Sequence, residues 1–295
     1  MTWRAFSVFS LAFVGLSILS GSARADALNF TPIDISGAYD SYAMGINSSG
    51  QVVGWFRDSS GTHEFLDLNG SITVIGAPNA ISTQAFGVNN LGEIVGSYQT
   101  ADFELHGFIY DGSTFQTVDV PGAQLTYFYG INDSGVVVGN SDIGVQESFT
   151  YDGSFQVISV PGSLFTDAYG INNAGQVTGL YRDPGFNGFV EDNGSYQSFN
   201  VPGGFDPQPN AINNNAVVVG STLSLFAGFI DVGGTFTEVD SQAVPRTTPS
   251  ESMMQARSWG RSPIPLRSVH IIRRLPHLRL SLRMRSCWRQ GFSGW

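Results

Sequence analysis

His63 and His106 stand at equivalent points of two successive stretches of chain. Imidazole ligates zinc and shuttles protons near neutrality. A zinc centre needs three or four convergent ligands, and residues 26–240 hold no third histidine. A structural strand position therefore explains the pair better, and which residues would hold a metal is left open. Nucleophilic catalysis asks for a nucleophile, a base and an orienting group. Serines abound, but no Gly-x-Ser-x-Gly elbow occurs and no motif sets a histidine beside a serine. Paired carboxylates that hydrolyse glycosides would come from the non-repeating acids Asp40, Glu93, Glu104, Asp167 and Asp206. Most other acids recur at turns, where Asp bonds its own backbone. Turn carboxylates and carbonyls also suit calcium, but the Asp-x-Asp-x-Asp-Gly loop is absent. Calcium is thus a weak candidate, and no cofactor is expected. Trp55, Tyr98, Tyr127, Tyr129, Tyr181 and Tyr196 could stack on sugar faces if exposed, although alternating strand positions bury aromatics more often.

The elements that must position these groups are legible from self-similarity. Gly45-Ile46-Asn47 is followed by Gly50-Gln51-Val52-Val53-Gly54. The pattern returns as Gly87-Val88-Asn89, Gly130-Ile131-Asn132 and Gly170-Ile171-Asn172, each with its own Gly…Gly run, and as Ala211-Ile212-Asn213 with Val217-Val218-Val219-Gly220. The steps between copies are 42, 43, 40 and 41 residues. Each copy continues into an aromatic run centred on Phe65, Phe108, Phe149, Phe189 or Phe229. Several end in Val-Pro-Gly, as at Val120-Pro121-Gly122. Asn-x-x-Gly and Asp-Gly are hairpin chemistry. The intervening runs of Val, Ile, Phe, Tyr and Thr read as strands, and no window sustains a helical period. Four short strands in about 41 residues match one blade of a β-propeller. The expected fold is all-β: five complete four-stranded blades over residues 26–240. Phe30–Ile35 matches the last strand of a unit, so the N-terminus is expected to complete a final blade and hide the sheet edges.

Charge divides the 295 residues into three parts. Residues 26–240 carry 23 acidic side chains against Arg57 and Arg182, and the chain contains no lysine. So acidic a body repels nucleic acid and anionic membrane. Residues 1–25 begin with Arg4, run apolar from Phe6 to Leu19 and reach Ala23-Arg24-Ala25, the pattern of a cleaved signal peptide. The stretch is shorter than the roughly 20 apolar residues of a membrane span, so no span is expected after cleavage. Secretion to the extracellular space or cell envelope follows, and no cysteine lies between residues 26 and 240 to form a disulfide there.

Residues 241–295 invert the composition, with ten arginines and Cys287 against Glu251. A solvated basic tail, a nucleic-acid or membrane arm, and a shifted reading frame are three explanations. Read one base out of register, Thr248 to Gly260 is compatible with Ala-Phe-Gly-Ile-Asn-Asp-Ala-Gly-Gln-Ile-Val-Gly. In that frame the isoleucine arises at Glu251, 39 residues after Ile212. A sixth unit lost to a frameshift, leaving an irregular tail, is the expectation.

The units, with Ala168-Tyr169-Gly170-Ile171-Asn172-Asn173-Ala174-Gly175-Gln176-Val177 and His106-Gly107-Phe108, resemble the extracellular HAF repeat family over residues 28–240. The resemblance implies a secreted bacterial protein and carries over no catalytic residue. The expected function is a non-catalytic extracellular or cell-envelope interaction module, with polysaccharide or a surface protein as partner. A propeller-type glycoside-active enzyme and a purely structural surface protein are the alternatives.

Overall fold

Five antiparallel meanders of four strands follow one another along the chain. The structure, a computed structural model, describes residues 33–144, 146–204, 206–222 and 228–239, and the backbone of strands Phe6–Ser7, Ile271–Leu275 and Leu278–Leu282. Blade 1 comprises Asp40–Ile46, Gln51–Asp58, Gly61–Leu68 and Ser71–Ile75. Blade 2 comprises Ser82–Val88, Ile94–Gln99, Leu105–Tyr110 and Phe115–Val118. Blade 3 is Leu125–Ile131, Val137–Asp142, Gln146–Tyr151 and Phe155–Ile158. Blade 4 is Phe165–Ile171, Val177–Asp183, Gly185–Asp192 and Ser195–Phe199. Blade 5 is Pro207–Ile212, Val217–Thr222, Gly228–Val232 and Thr235–Val239. The β-propeller expected from the 41-residue period is present, and the described residues contain no helix.

Two of the glycines that recur along the repeat have a steric reason. A Cβ on Gly96 would lie 2.1 Å from the Gln84 carbonyl oxygen and 2.8 Å from the Phe108 ring. Gly54, Gly139 and Gly220 meet a first-strand carbonyl and the blade's own third-strand phenylalanine in the same way. The second strand thus admits only glycine where the phenylalanine crosses it. The glycine of Gly-Ile-Asn serves a different contact. A Cβ on Gly87 would sit 3.2 Å from the Cα of Gly130, and one on Gly170 would sit 2.8 Å from the Cα of Ala211. First strands of neighbouring blades therefore nearly touch, which makes them the innermost strands around the axis. Each carries a register shift at the same place: Ala43/Gly45, Ala85/Gly87, Phe128/Gly130, Ala168/Gly170 and Pro209/Ala211. The extra residue of a bulge bends the strand and re-aims a side chain.

The apolar core is a series of clusters between successive blades. Val53 of blade 1 packs with Ala85, Val88, Ile94 and Phe108 of blade 2. Val95 and Val118 of blade 2 pack with Phe128, Ile131, Val137 and Phe149 of blade 3. Val138, Ile158 and Val160 meet Ala168, Ile171, Val177 and Phe189, and Val201 meets Ile212, Val218 and Phe229. The buried face of blade 1 (Val52, Phe56, Phe65) packs instead against Ile33, Ile35 and Ala38. The segment forms no strand, but its apolar side chains pack where the end of a preceding blade's outer strand packs in the later blades. Its turn, with Ala38 N–H donating to Ile35 O at 3.1 Å and Gly37 at φ 83°, repeats the one at Val120–Ala123, where the bond is 3.0 Å and Gly122 has φ 82°. Of the expected Phe30–Ile35 strand, residues 33–35 form no strand and pair with none, and residues 30–32 lie outside the described residues.

The expected irregular tail contains two strands, Ile271–Leu275 and Leu278–Leu282, paired with each other, and Ile271–Leu275 also pairs with Phe6–Ser7. Leu278–Leu282 runs beside Asp40–Ile46 of blade 1 and beside Pro207–Ile212 and Val217–Thr222 of blade 5. The remaining tail, including Thr248 to Gly260, and the signal-like residues 8–25 lie outside the described residues.

Candidate functional site

The repeat asparagine does two jobs at once. Asn132 Oδ1 accepts from Ser134 N–H and Val136 N–H, both at 3.0 Å, closing the Asn-x-x-Gly turn. Its Nδ2 reaches across to the next blade and donates to Asn172 O at 3.1 Å. Asn47 donates likewise to Asn89 O at 2.9 Å, Asn89 to Asn132 O at 3.1 Å, and Asn172 to Asn213 O at 2.9 Å. One residue on, a second ladder is exposed to solvent: Ser48 N–H to Asn90 Oδ1, Asn90 N–H to Asp133 Oδ1, Asp133 N–H to Asn173 Oδ1 and Asn173 N–H to Asn214 Oδ1. Asn213 keeps the turn-closing bonds to Asn215 N–H and Val217 N–H, yet its buried Nδ2 has no partner among the described residues.

The bulges gather aromatic rings on the inner strands. Phe86, Tyr129 and Tyr169, the bulge residues of blades 2, 3 and 4, meet edge to face at 5.3 and 5.2 Å. Tyr127 lies parallel to Tyr129 at 5.8 Å. Beside this belt stands Asp167, 9% exposed, whose carboxylate accepts from Asn140 Nδ2 at 3.1 Å, Gln146 Nε2 at 2.5 Å and Tyr169 OH at 3.2 Å. Aromatic rings next to a carboxylate fixed by two amides can stack on an apolar sugar face and bond its hydroxyls. Three blades supply the group.

Of the sequence candidates, Tyr127, Tyr129 and Asp167 converge here. Tyr98 and Tyr181 brace their own outer strands instead, through Thr117 Oγ1 and Ser198 Oγ, each at 2.8 Å. Tyr196 packs on Phe189 at 5.8 Å, and burial raises its phenol pKa. Trp55 stacks on Tyr42 at 3.9 Å with its indole N–H buried and unpaired among the described residues. Asp40 pairs with Arg57, and Glu93 accepts from Asn89 Nδ2 at 2.5 Å. Glu104 lies exposed in the loop before the third strand of blade 2, and Asp206 sits at φ 56° just before blade 5. The five acids thus occupy separate places and partners.

The histidines lie on the third strands, with no shared ligand. His63 Nε2 contacts Ser60 Oγ at 2.8 Å and Asp58 Oδ1 at 3.2 Å. His106 Nδ1 bonds Asp119 Oδ2 at 2.8 Å, and its Nε2 lies 3.3 Å from Thr100 Oγ1. The line Asp119–His106–Thr100 has the order of a nucleophilic relay. However, the single hydroxyl proton of Thr100 is directed to Asp102 Oδ1 at 2.5 Å, and this bond lowers the Asp102 pKa. Thr100 is held as a hairpin brace and is not poised to give its proton to His106. Among the described residues, no three His, Cys, Asp or Glu cluster closely enough to hold a metal ion.

Sequence reasoning missed Tyr169, Phe86 and Glu64. Glu64 is completely buried with neither carboxyl oxygen bonded among the described residues, and burial pushes its pKa up to about 8. It faces Trp55 across the strand pair. The corresponding residues of other blades are Gly107, Ser148, Gly188 and Gly228, each also opposite the second strand. Ser148 accepts there from Ala168 N–H at 2.9 Å and donates to Thr166 O at 2.8 Å, so the position looks onto the next blade.

No family model matches the chain, and no curated protein matches it. Among solved structures it is similar to TolB from Acinetobacter baumannii, with 14% identity, 72% of this chain covered and a TM-score of 0.56. The chain spans 55% of the length of that protein. It also aligns with a mutant of AofleA from Arthrobotrys oligospora, at 14% identity, 70% and 74% coverage and a TM-score of 0.44. A mutant Aleuria aurantia lectin in complex with alpha-methyl-L-fucoside aligns at 12% identity, 73% and 98% coverage and a TM-score of 0.32. What the likeness to TolB establishes is the fold: the described blades belong to a β-propeller.

Proposed function

We propose that the chain is a secreted, non-catalytic interaction module of the HAF repeat type that binds carbohydrate at the inner aromatic belt. The observation that carries this reading is the convergence of Tyr127, Tyr129 and Tyr169 with Asp167, the latter held by Asn140 and Gln146. The apolar leader of residues 1–25 supports secretion. An acidic body suits neutral or basic glycans over sulfated or uronic ones, because like charges repel across a desolvated contact.

The test is a glycan array probed with the full chain and with a Tyr129→Ala/Tyr169→Ala variant. Binding to neutral oligosaccharides that falls at least tenfold in the variant is expected, since losing a stacked ring removes on the order of 1 kcal/mol or more. Binding unchanged by the double substitution overturns the placement at the belt. Release of reducing ends from any bound glycan would show an enzyme instead.

A further inference from the structure

The turns that join the third and fourth strands of the blades are not chemically alike. In blades 1 and 4 the loop is two residues long: Asn69-Gly70 between the paired Leu68 and Ser71, and Asn193-Gly194 between the paired Asp192 and Ser195. Both asparagines have positive φ, 56° and 50°, as a type I′ turn requires. The acid two residues earlier fixes each tip. Asp67 Oδ1 accepts from Gly70 N–H and Glu191 Oε1 from Gly194 N–H, each at 2.6 Å. The turn thus accounts for Asn-Gly. The serine that follows makes each tip an Asn-x-Ser acceptor sequence for oligosaccharide, and Asn69, Ser71, Asn193 and Ser195 are all exposed. Two further sequences of this kind, Asn47-Ser48-Ser49 and Asn132-Asp133-Ser134, belong to the inter-blade ladder. Their asparagines are 2% and 5% exposed, and each commits Nδ2, the atom that would carry the sugar, to a carbonyl of the next blade. A fifth, Asn29-Phe30-Thr31, lies outside the described residues. The other blades carry no amide at the turn: Asp111 and Asp152 stand in blades 2 and 3, and Gly233 in blade 5.

We infer that Asn69 and Asn193 are N-glycosylation sites of the folded chain, with a polyprenyl-pyrophosphate-linked oligosaccharide as donor. In the transfer, Nδ2 of the asparagine forms a bond to the anomeric carbon of the sugar. The bond from that carbon to the pyrophosphate oxygen breaks, and the lipid pyrophosphate leaves with the electron pair. The amide gives up one proton to a base of the transferase. The fold selects the sites, because the hairpin tips present both Nδ2 and the hydroxyl two residues on, whereas the ladder hides them. At Asn193 the Nδ2 donates to Asp192 Oδ1 at 2.7 Å, a solvent-exposed bond that water replaces. The modification has a physical use. Ser71–Ile75 and Ser195–Phe199 are the outermost strands of their blades, each paired on one side among the described residues, and Val74 is 55% exposed. Bare edge strands recruit other chains, and a bulky, hydrated glycan at the head of each strand hinders that pairing. The tips lie on outer strands and the aromatic belt on inner ones, so failure of one leaves the other standing. In the cell the transfer requires export, which belongs to the proposed function; supplying the transferase directly separates the two.

The experiment incubates the folded full chain with a lipid-linked oligosaccharide and a purified oligosaccharyltransferase. The transferase is one that modifies synthetic peptides spanning residues 44–50, 66–72, 129–135 and 190–196. Peptide mass spectrometry is expected to find glycan on Asn69 and Asn193. Occupancy at Asn47 and Asn132 should be at least tenfold lower, because transfer there must wait for local opening of the blades. Asn69→Gly copies Gly233 of blade 5, which has φ 57°, and should lose the first glycan alone. Ser195→Ala keeps the turn asparagine and should lose the second alone, with the circular dichroism of both variants unchanged. A folded chain left bare at both tips overturns the proposal, because the sequences are accepted as peptides and the hairpins then withhold them. Equal occupancy at Asn47 or Asn132 overturns selection by the fold, and a glycan on Asn193 that survives Ser195→Ala overturns the role of the hydroxyl.

Discussion

Raising the pH from 5 to 8 should lower the unfolding free energy by several kcal/mol, and Glu64→Gln should remove most of that dependence. The Glu64 carboxyl is fully buried with both oxygens unpaired among the described residues, and its pKa stands at about 8 against an ordinary value of 4.5. Between those values the folded chain holds a proton that the unfolded chain has released. Stability contributed by this group is therefore complete below pH 4.5, falls as pH rises, and is lost above pH 8. Each pH unit in that window is worth about 1.4 kcal/mol, which sums to on the order of 4–5 kcal/mol. Asp67 and Asp231, also raised by burial, add smaller contributions of the same sign. Urea denaturation at pH 5, 6, 7 and 8 checks this. Glu64→Ser, copying Ser148, should make the chain more stable than wild type at pH 8. A flat profile in the wild type would mean that the carboxyl finds water or a cation in solution.

Asn132 sits in the middle of the ladder, and Asn132→Ala should destabilise the fold by about 2–4 kcal/mol. The change deletes two turn-closing bonds and the bond to Asn172 O, leaving buried groups unpaired on both sides. Asn132→Asp separates the two roles, since it keeps the turn acceptor and removes the inter-blade donor. It should destabilise by about 1–2 kcal/mol from the lost bond, with a further penalty from a carboxylate near a carbonyl. Guanidinium unfolding of both variants measures the split. Equal midpoints for Asn132→Asp and wild type would show that the turn alone accounts for the residue.

The blades were legible because the physics that shapes them repeats. Gly96 and its counterparts must lack a Cβ where the phenylalanine passes, so the same residue returns at every period. Asn47 and its counterparts return because one side chain closes a turn and joins two blades. The belt was less legible. Phe86, Tyr129 and Tyr169 sit at bulges, where an extra residue breaks the period-two alternation that tells inside from outside. Asp167 could be singled out as a non-repeating acid, but its partners Asn140 and Gln146 lie 27 and 21 residues away and belong to another blade. Glu64 escaped notice for the opposite reason. It is a solitary acid at a position held elsewhere by glycine or serine, and nothing in a sequence marks a carboxyl as buried.

Side-chain amide exchange, followed by NMR on the asparagine Nδ2 groups, tests the ladder and its unfinished end together. The expected result is slow exchange at Asn47, Asn89, Asn132 and Asn172, whose Nδ2 groups are bonded to the next blade. Asn213 should exchange at least tenfold faster, because its Nδ2 is buried without an acceptor among the described residues and any local opening meets no bond to break. Equal protection at all five would contradict the open ladder, and rapid exchange at all five would contradict the ladder itself.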